Sequence, residues 1–488
     1  MDLDPANLSR VLGAELPRGV GTVSGVAHDS RAVRPGFAFV AVPGFRHDGT
    51  LFAAEARRRG AALVVAERPV EGVPTAVVPD ARAALAALAL VVHGDPSAAM
   101  AVYGITGTNG KTTTSYVLHA ILSGALGEER CGLMGTAETI IGAGRRPAVR
   151  TTPEAPEVQA TLAEMLRAGV ENVVMEVSSH GVALRRVTGT SFAGALFTNL
   201  TRDHLDLHGT MEEYFAAKRE LFHWTGGPKL ANAEDPWGLR LASEVEGVLT
   251  FGGTRDADYR VEGVEAAGGG TGFSLRPTEG VLALHSPLLG PYNVLNVAGA
   301  AGLALATGVE PEAVRDAVRS MGQVPGRFER VVAAGDLGFE VVVDYAHTDV
   351  GLEAVLRVAR GAAAGRVICV FGAAGDRDGA KRPGMGRVAS RLADRSIITT
   401  DDAYTEDPGE IAREVAAGAD PSRTEIELDR RAAIRRALLM AEAGDVVVVA
   451  GKGHERVQHL PEGDMPFHDA TVVEELLAEM RDQGDKGR

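Results

Sequence analysis

A chain of 488 residues is too long for a single hydrophobic core and predicts about three domains. Its formal charge of -15, with no basic face evident, argues against broad nucleic-acid binding, so an anionic ligand must meet local positive charge. Two cysteines, Cys131 and Cys369, cannot build a disulfide framework and read as small buried hydrophobes.

The start, Met1-Asp2-Leu3-Asp4-Pro5, is acidic and lacks an apolar h-region, so no signal peptide is predicted and a cytoplasmic location is expected. The apolar stretch 83–92 is too short to span a bilayer, and no membrane insertion is expected. Short strand-like runs fall at 37–42, 61–65 and 74–78, followed by an Ala/Leu-rich helix from Ala81. His93-Gly94-Asp95-Pro96-Ser97 is turn chemistry and places a domain boundary near residue 98.

From Ala99 apolar strands alternate with longer helical patterns, which predicts an α/β domain with a largely parallel sheet. Its first strand, 99–105, runs into Gly107-Thr108-Asn109-Gly110, and Lys111-Thr112-Thr113 opens a helix. Glycines let backbone N–H groups approach a polyphosphate, and the helix N-terminus adds positive potential. Lys111 brings an ammonium to the phosphates and Thr112 a hydroxyl for phosphate-bound Mg²⁺. Ile105 stands where the generic loop has its first glycine.

Further strands are predicted at 170–177 and 195–199. Glu176 ends the first of them, where a carboxylate suits Mg²⁺ and a solvated strand end is the plainer reading. The second leads into a dense polar run, 198–208, in which His204 is the candidate ligand. Thr210 and Glu213 form a capping box for the next helix. Lys218 lies on its apolar stripe with Tyr214, Leu221 and Phe222. Such a lysine either snorkels to solvent or is held near metal and phosphates. Residues 268–272 read as a hairpin loop, and 322–326, with Pro325, as a second linker.

Beyond it strands are predicted at 339–344, 367–371, 396–399 and 446–450, the rhythm of a doubly wound sheet. Three of their ends carry polar clusters: Asp344-Tyr345-Ala346-His347, Gly375-Asp376-Arg377-Asp378 with Lys381-Arg382-Pro383, and Gly451-Lys452-Gly453-His454-Glu455. The predicted fold class is therefore α/β in three domains. A small N-terminal domain spans 1–98, a central P-loop ATPase-like domain 99–325, and a Rossmann-like doubly wound domain 326–488.

Together these stretches resemble the Mur ligases, ATP-dependent amide-forming enzymes of peptidoglycan synthesis, over essentially the whole chain. The phosphate loop and Asp344-Tyr345-Ala346-His347 look like motifs of the whole family. The clusters at 176–180, 203–206, 375–383 and 451–455 look like its MurE type, which adds the third amino acid to UDP-N-acetylmuramoyl-L-alanyl-D-glutamate. The resemblance implies a UDP-sugar-binding first domain, an ATP-binding second and an amino-acid-binding third. It also implies that Lys218 is carbamoylated, and that Thr112, Glu176, His204 and the Lys218 carbamate hold Mg²⁺. Lys111, Glu176, His204 and Lys218 would serve catalysis. Gly107 to Thr113, Asn293, Arg327 and Asp344 would meet ATP. Ser30, Thr151, Thr152, Ser178 and Arg186 would hold the UDP-sugar dipeptide, and Arg377, Gly451 and Glu455 the incoming amino acid. A carboxylate would be phosphorylated by ATP and the acyl phosphate captured by an amine, with domains closing about Pro325-Gly326. A monomer without nucleic-acid partners is expected.

The chain departs from the family at the amino-acid loop. Enzymes using meso-diaminopimelate typically carry Asp-Asn-Pro-Arg, whose arginine grips the distal carboxylate; here the residues are Asp401-Asp402-Ala403-Tyr404. Tyr404 cannot supply that fork, and Asp402 suits a distal ammonium, so L-lysine or L-ornithine is the expected substrate. Arg150 stands where asparagine is common, and Asp349 where proline is. The competing expectations are a folylpolyglutamate or cyanophycin synthetase-like ligase and a non-catalytic nucleotide-binding regulator.

Overall fold

Runs such as Val446-Val447-Val448-Val449-Ala450 show no polar alternation, which suits strands covered on both faces, and all five residues are buried. The computed structural model describes residues 2–485 apart from 45–46, 268, 332–333 and 335–336. It builds three largely parallel sheets from runs of this kind. The chain separates into two compact units, Met1–Ser286 with Pro291–Met321, and Pro287–Gly290 with Gly322–Arg488.

In the first unit, strands Gly25–Ala27, Phe37–Val40, Leu63–Ala66 and Thr75–Val77 form a four-stranded parallel sheet in chain order. Helix Ala81–His93 packs its Leu85, Leu88 and Val92 into the core under this sheet. Its start is set by Asp80, which accepts the Ala83 N–H at 2.8 Å, and its end by Gly94 in the left-handed region.

The same unit holds an eleven-stranded sheet. Its parallel centre runs from Tyr259–Ala267 through Val248–Gly252, Lys229–Asn232, Gly194–Phe197, Ala101–Thr106 and Asn172–Glu176 to Cys131–Met134. Antiparallel strands finish both edges: Gly270–Arg276 and Leu282–Ser286 on one side, Glu138–Ile141 and Gly144–Pro147 on the other. The hairpin expected at 268–272 joins two of these, Ala267 pairing with Gly270, although Gly268 lies outside the described residues. Strand Ala101–Thr106 has later strands on both sides, so its C-terminal end is a topological switch point. The register puts Ile105 beside Glu176 and Thr106 beside Phe197. Three predicted polar strand ends are thereby aligned.

In the second unit, Glu340–Asp344, Val446–Ala450, Val367–Phe371, Arg395–Ile398 and Thr424–Ile426 lie parallel, with Glu329–Arg330 antiparallel at one edge. A small hairpin, Val457–Leu460 with Gly463–Pro466, follows the last of the apolar strands in sequence. The βα rhythm did not reveal it, because two four-residue strands with a short turn carry no long apolar period. Cys131 and Cys369 are both buried and unpaired, as expected. No described helix is long and apolar enough to cross a membrane.

One buried ion pair ties the second unit together. Arg430 begins helix Arg430–Met440, and its Nε and Nη2 each donate to Asp469 at 2.7 Å, while Nη2 also donates to the Ala450 carbonyl at 3.0 Å. Both side chains are fully buried. Removing one partner leaves a buried charge uncompensated, which costs about 3–5 kcal/mol. Asp469→Ala is expected to lower the unfolding free energy of this unit by about that amount in urea titrations. Arg431→Ala, which removes half-exposed pairs to Glu475 and Glu479, is expected to cost under about 1 kcal/mol.

Candidate functional site

Strand Ala101–Thr106 ends in the loop 107–110, and helix Lys111–Leu126 follows at once. Gly107 has φ +149°, and a Cβ there would sit 1.8 Å from Thr198 Oγ1; one on Gly110 would sit 2.3 Å from Asn296 Oδ1. Only glycine allows these approaches. The Thr108 N–H donates to the Asn199 carbonyl at 2.9 Å, and the Asn109 N–H to Asn199 Oδ1 at 3.0 Å. Thr198 Oγ1 donates to the Asn109 carbonyl at 2.6 Å. The polar run that begins at Thr198 thus braces the phosphate loop. Lys111 Nζ folds over it, donating to the carbonyls of Gly107 at 3.0 Å and Thr108 at 2.9 Å.

Lys218 reaches the same loop from helix Met211–Trp224, whose Thr210 cap accepts the Glu213 N–H at 3.2 Å. Its side chain is buried, not snorkelled to solvent. Nζ donates to the Gly107 carbonyl at 2.7 Å and stands 4.7 Å from the Tyr214 ring centre. Burial, and then the neighbouring Lys111 charge, push the Lys218 pKa far below the usual lysine value.

Glu176 is fully buried at the adjoining strand end. It accepts from Thr112 Oγ1 at 3.0 Å, from the Thr136 N–H at 2.7 Å and from Thr136 Oγ1 at 2.8 Å. A buried carboxylate with neutral donors beside a threonine hydroxyl is a hard-oxygen set that fits Mg²⁺. The hydroxyls of Thr136 and Thr151 are 3.1 Å apart. Thr152 Oγ1 donates to the Glu176 carbonyl at 2.8 Å and accepts the Ser178 N–H at 3.0 Å. Arg186 donates to the Thr152 carbonyl at 3.0 Å. Thr151, Thr152, Ser178 and Arg186 are therefore brought together around the Glu176 strand end. Ser30 lies in the N-terminal sheet region, its hydroxyl donating to Glu55 at 3.0 Å.

His204, with φ +51°, belongs to an aromatic group. Its ring lies 4.7 Å from that of His180 and 6.1 Å from that of Tyr214, whose hydroxyl is 3.1 Å from Thr108 Oγ1. Among the described residues no hydrogen bond or ion pair joins His204 to Glu176 or Lys218. Burial lowers the His204 pKa, and burial with the nearby His204 and Arg186 charges takes His180 down to about 4.

Asn293 accepts from Asn296 Nδ2 at 3.0 Å, and Asn296 Oδ1 accepts from Thr114 on the phosphate-loop helix at 3.3 Å. In the second unit, Asp344 accepts the N–H groups of Phe328 at 2.7 Å and Ala346 at 2.8 Å, and burial raises its pKa. Arg327 lies 4.5 Å from the Tyr345 ring centre.

The ends of two strands of the second unit's sheet, Arg395–Ile398 and Val446–Ala450, assemble an acidic pocket. Asp401, Asp402 and Glu455 converge on Lys452, whose Nζ donates to Asp402 at 2.7 Å and Glu455 at 3.0 Å. Burial opposes the Lys452 charge, but Asp401, Glu455 and Asp402 together raise its pKa above the usual value. Arg430, also close by, is already matched by Asp469. The pocket keeps more negative than positive charge. Asp402, the carboxylate expected to suit a distal ammonium, accepts on Oδ1 from Lys452 and from the His459 N–H, the latter at 2.9 Å. Gly451 joins this pocket to the Asp344 strand by donating its N–H to the Asp344 carbonyl at 3.0 Å. Tyr404 stacks on His459, and Arg377 lies 6.0 Å from its ring centre on the loop after Val367–Phe371.

Sequence reasoning missed Thr136, whose signal was a Gly-Thr pair after a short apolar strand. It also missed the charge cluster on Glu154. That carboxylate meets Arg186 at 2.6 Å, Arg150 at 3.2 Å and Arg82 at 3.6 Å. Arg150, noted only as a departure, is one of three guanidiniums sharing a single acid.

Residues 22–101 match the Mur ligase family, catalytic domain; residues 105–304 the Mur ligase middle domain; and residues 326–453 the Mur ligase, glutamate ligase domain. The chain is 42% identical over 470 residues to the UDP-N-acetylmuramoyl-L-alanyl-D-glutamate--2,6-diaminopimelate ligase of Gloeobacter violaceus, covering 95% of each protein. It is 43% identical over 490 residues to the ligase of that name from Solibacter usitatus, covering 97% of each. A solved structure of a ligase of that name superimposes with a TM-score of 0.69 at 31% identity, over 99% of this chain and 100% of that one.

Thr136→Val removes the hydroxyl that links Glu176 to Thr151 without changing side-chain volume greatly. It is expected to weaken Mg²⁺-dependent ATP binding about tenfold or more, read by calorimetry with and without Mg²⁺. Thr136→Ser is expected to retain it.

Proposed function

The chain belongs to the Mur ligase family, and from that membership we propose that it is an ATP-dependent ligase of the MurE type. It adds the third amino acid to UDP-N-acetylmuramoyl-L-alanyl-D-glutamate in peptidoglycan synthesis. The observation that carries the reading is the junction at the phosphate loop, where Lys111 and Lys218 share the Gly107 carbonyl and Thr112 binds the buried Glu176.

The D-glutamyl carboxylate attacks the γ-phosphorus of ATP, and the bond to the β,γ-bridging oxygen breaks, leaving ADP. The amine then adds to the acyl carbon, phosphate leaves, and the amine loses a proton. Lys111 and the N-terminus of helix Lys111–Leu126 offset the repulsion between carboxylate and triphosphate. Glu176 and Thr112, with His204 and a Lys218 carbamate, would hold Mg²⁺, which would supply further neutralisation of the triphosphate charge. Asn293, Arg327 and Asp344 are assigned to ATP. Thr151, Thr152, Ser178 and Arg186, with Ser30, are assigned to the nucleotide-sugar dipeptide.

Two ammonium groups on one carbonyl repel, and the fully buried Lys218 is the one that gives up its proton. Its neutral amine can add to CO₂, forming the N–C bond and releasing a proton, which turns an unfavourable cation into an anionic metal ligand. Lys218→Ala and Lys218→Arg are each expected to cut turnover by about 10²-fold or more. A ¹³C carbamate resonance formed from labelled bicarbonate should be present in the wild type and missing in both variants. Unchanged activity in Lys218→Ala would remove the carbamate assignment.

For the amino acid we propose L-lysine or L-ornithine in preference to 2,6-diaminopimelate, the substrate in the relatives' names. Tyr404 offers no guanidinium fork, and three carboxylates facing Lys452 favour an ammonium. Asp402 contributes through the charge of the group, since its oxygen is held by Lys452. The second reading, 2,6-diaminopimelate, is favoured by Arg377, a cation beside Tyr404 able to meet a distal carboxylate. ADP release with a panel of the three amino acids decides between them. A kcat/KM at least about tenfold higher for lysine or ornithine is expected, and a higher value for meso-diaminopimelate would reverse the assignment. Tyr404→Arg is expected to shift the ratio toward diaminopimelate.

A further inference from the structure

Residues 400–404 leave the sheet as irregular chain, yet they are held at four points by two consecutive residues of the hairpin 457–466. The buried Gln458 Nε2 donates to the carbonyls of Thr400 and Asp401, each at 3.1 Å. The His459 N–H donates to Asp402 Oδ1 at 2.9 Å, and the His459 carbonyl accepts the Tyr404 N–H at 3.1 Å. Tyr404 has φ +50°, a left-handed conformation that a tyrosine adopts only when its surroundings impose it.

The same hairpin orients the Tyr404 ring. The His459 and Tyr404 rings are 12° from parallel with centroids 5.2 Å apart, an offset-stacked arrangement. His459 Nδ1 is 2.7 Å from Asp464 Oδ1, its register partner on the opposite strand, so the imidazole is itself fixed. Arg377 approaches the Tyr404 ring at 6.0 Å.

We infer that the hairpin 457–466 is the template for the amino-acid loop, and that His459 is a positioning residue that sets substrate preference by holding Tyr404. The inference rests on the ligase reading above, in which Tyr404 faces the incoming amino acid. A strand pair outside the main sheet, bearing none of the residues matched to substrate, thereby determines which diamino acid is accepted. Variation in the hairpin would alter selectivity with the loop sequence unchanged.

The test compares wild type, His459→Ala and His459→Phe in the full chain. Amide hydrogen exchange over residues 400–404 is measured alongside kinetics with lysine, ornithine and meso-diaminopimelate. In His459→Ala, exchange at Tyr404 is expected to accelerate about tenfold. The KM for the preferred amino acid should rise about tenfold with the preference narrowed, while KM for ATP and for the nucleotide dipeptide stays unchanged. His459→Phe, which keeps the stacking, should restore both readouts. Wild-type ligation with an unchanged His459→Ala preference would overturn this inference alone, as would a His459→Phe variant as impaired as His459→Ala. A wild-type chain that ligates none of the three amino acids would overturn the ligase reading and this inference with it.

Discussion

The Gly107 carbonyl accepts from two lysines at once, Lys111 at 3.0 Å and Lys218 at 2.7 Å, and the layout of the first unit follows from what this requires. Gly107 must lie against Thr198 and Asn199 with no side chain between. Helix Met211–Trp224 must deliver the Lys218 amine into the core, and Glu176 must end its strand level with Ile105. Each condition is met by a parallel sheet whose strands finish in register around a switch point. The Lys111 ammonium beside the buried Glu176 carboxylate places charge where a triphosphate and a carboxylate would meet.

The second unit handles charge in the opposite sense. Asp401, Asp402 and Glu455 surround Lys452, while Arg430 is neutralised by Asp469 behind them. Burial is the main cause that raises the Glu455 pKa within this group. The loop 400–404 beside it is not self-supporting. Gln458 and His459 hold it through four hydrogen bonds from a separate segment of chain.

Much of this was legible in the residues. The phosphate loop, the capped helix carrying Lys218 and the polar strand ends at Glu176, Asp344, Gly375 and Gly451 announced themselves, because glycine turns, caps and apolar runs are local signals. Thr136 did not, since one threonine after a four-residue strand resembles any other. Arg82, Arg150 and Arg186 meet at Glu154 from separate segments, and no spacing rule connects them. Asp402 and its partner Lys452 lie 50 positions apart, so no local spacing announced the pair.

The sequence by itself determined the fold class, the alternation of the main apolar strands with helices, the phosphate loop and the anomaly of a lysine on an apolar stripe. These follow from interactions within a few residues, where composition and period dictate geometry. Only the tertiary structure decided that Lys218 turns inward to Gly107, that Thr136 bridges Glu176 and Thr151, and that His459 sets Tyr404. Those outcomes depend on which distant strand ends share a register and which side chains fill the same small volume. That information belongs to the packed sheet, not to any one segment of the chain.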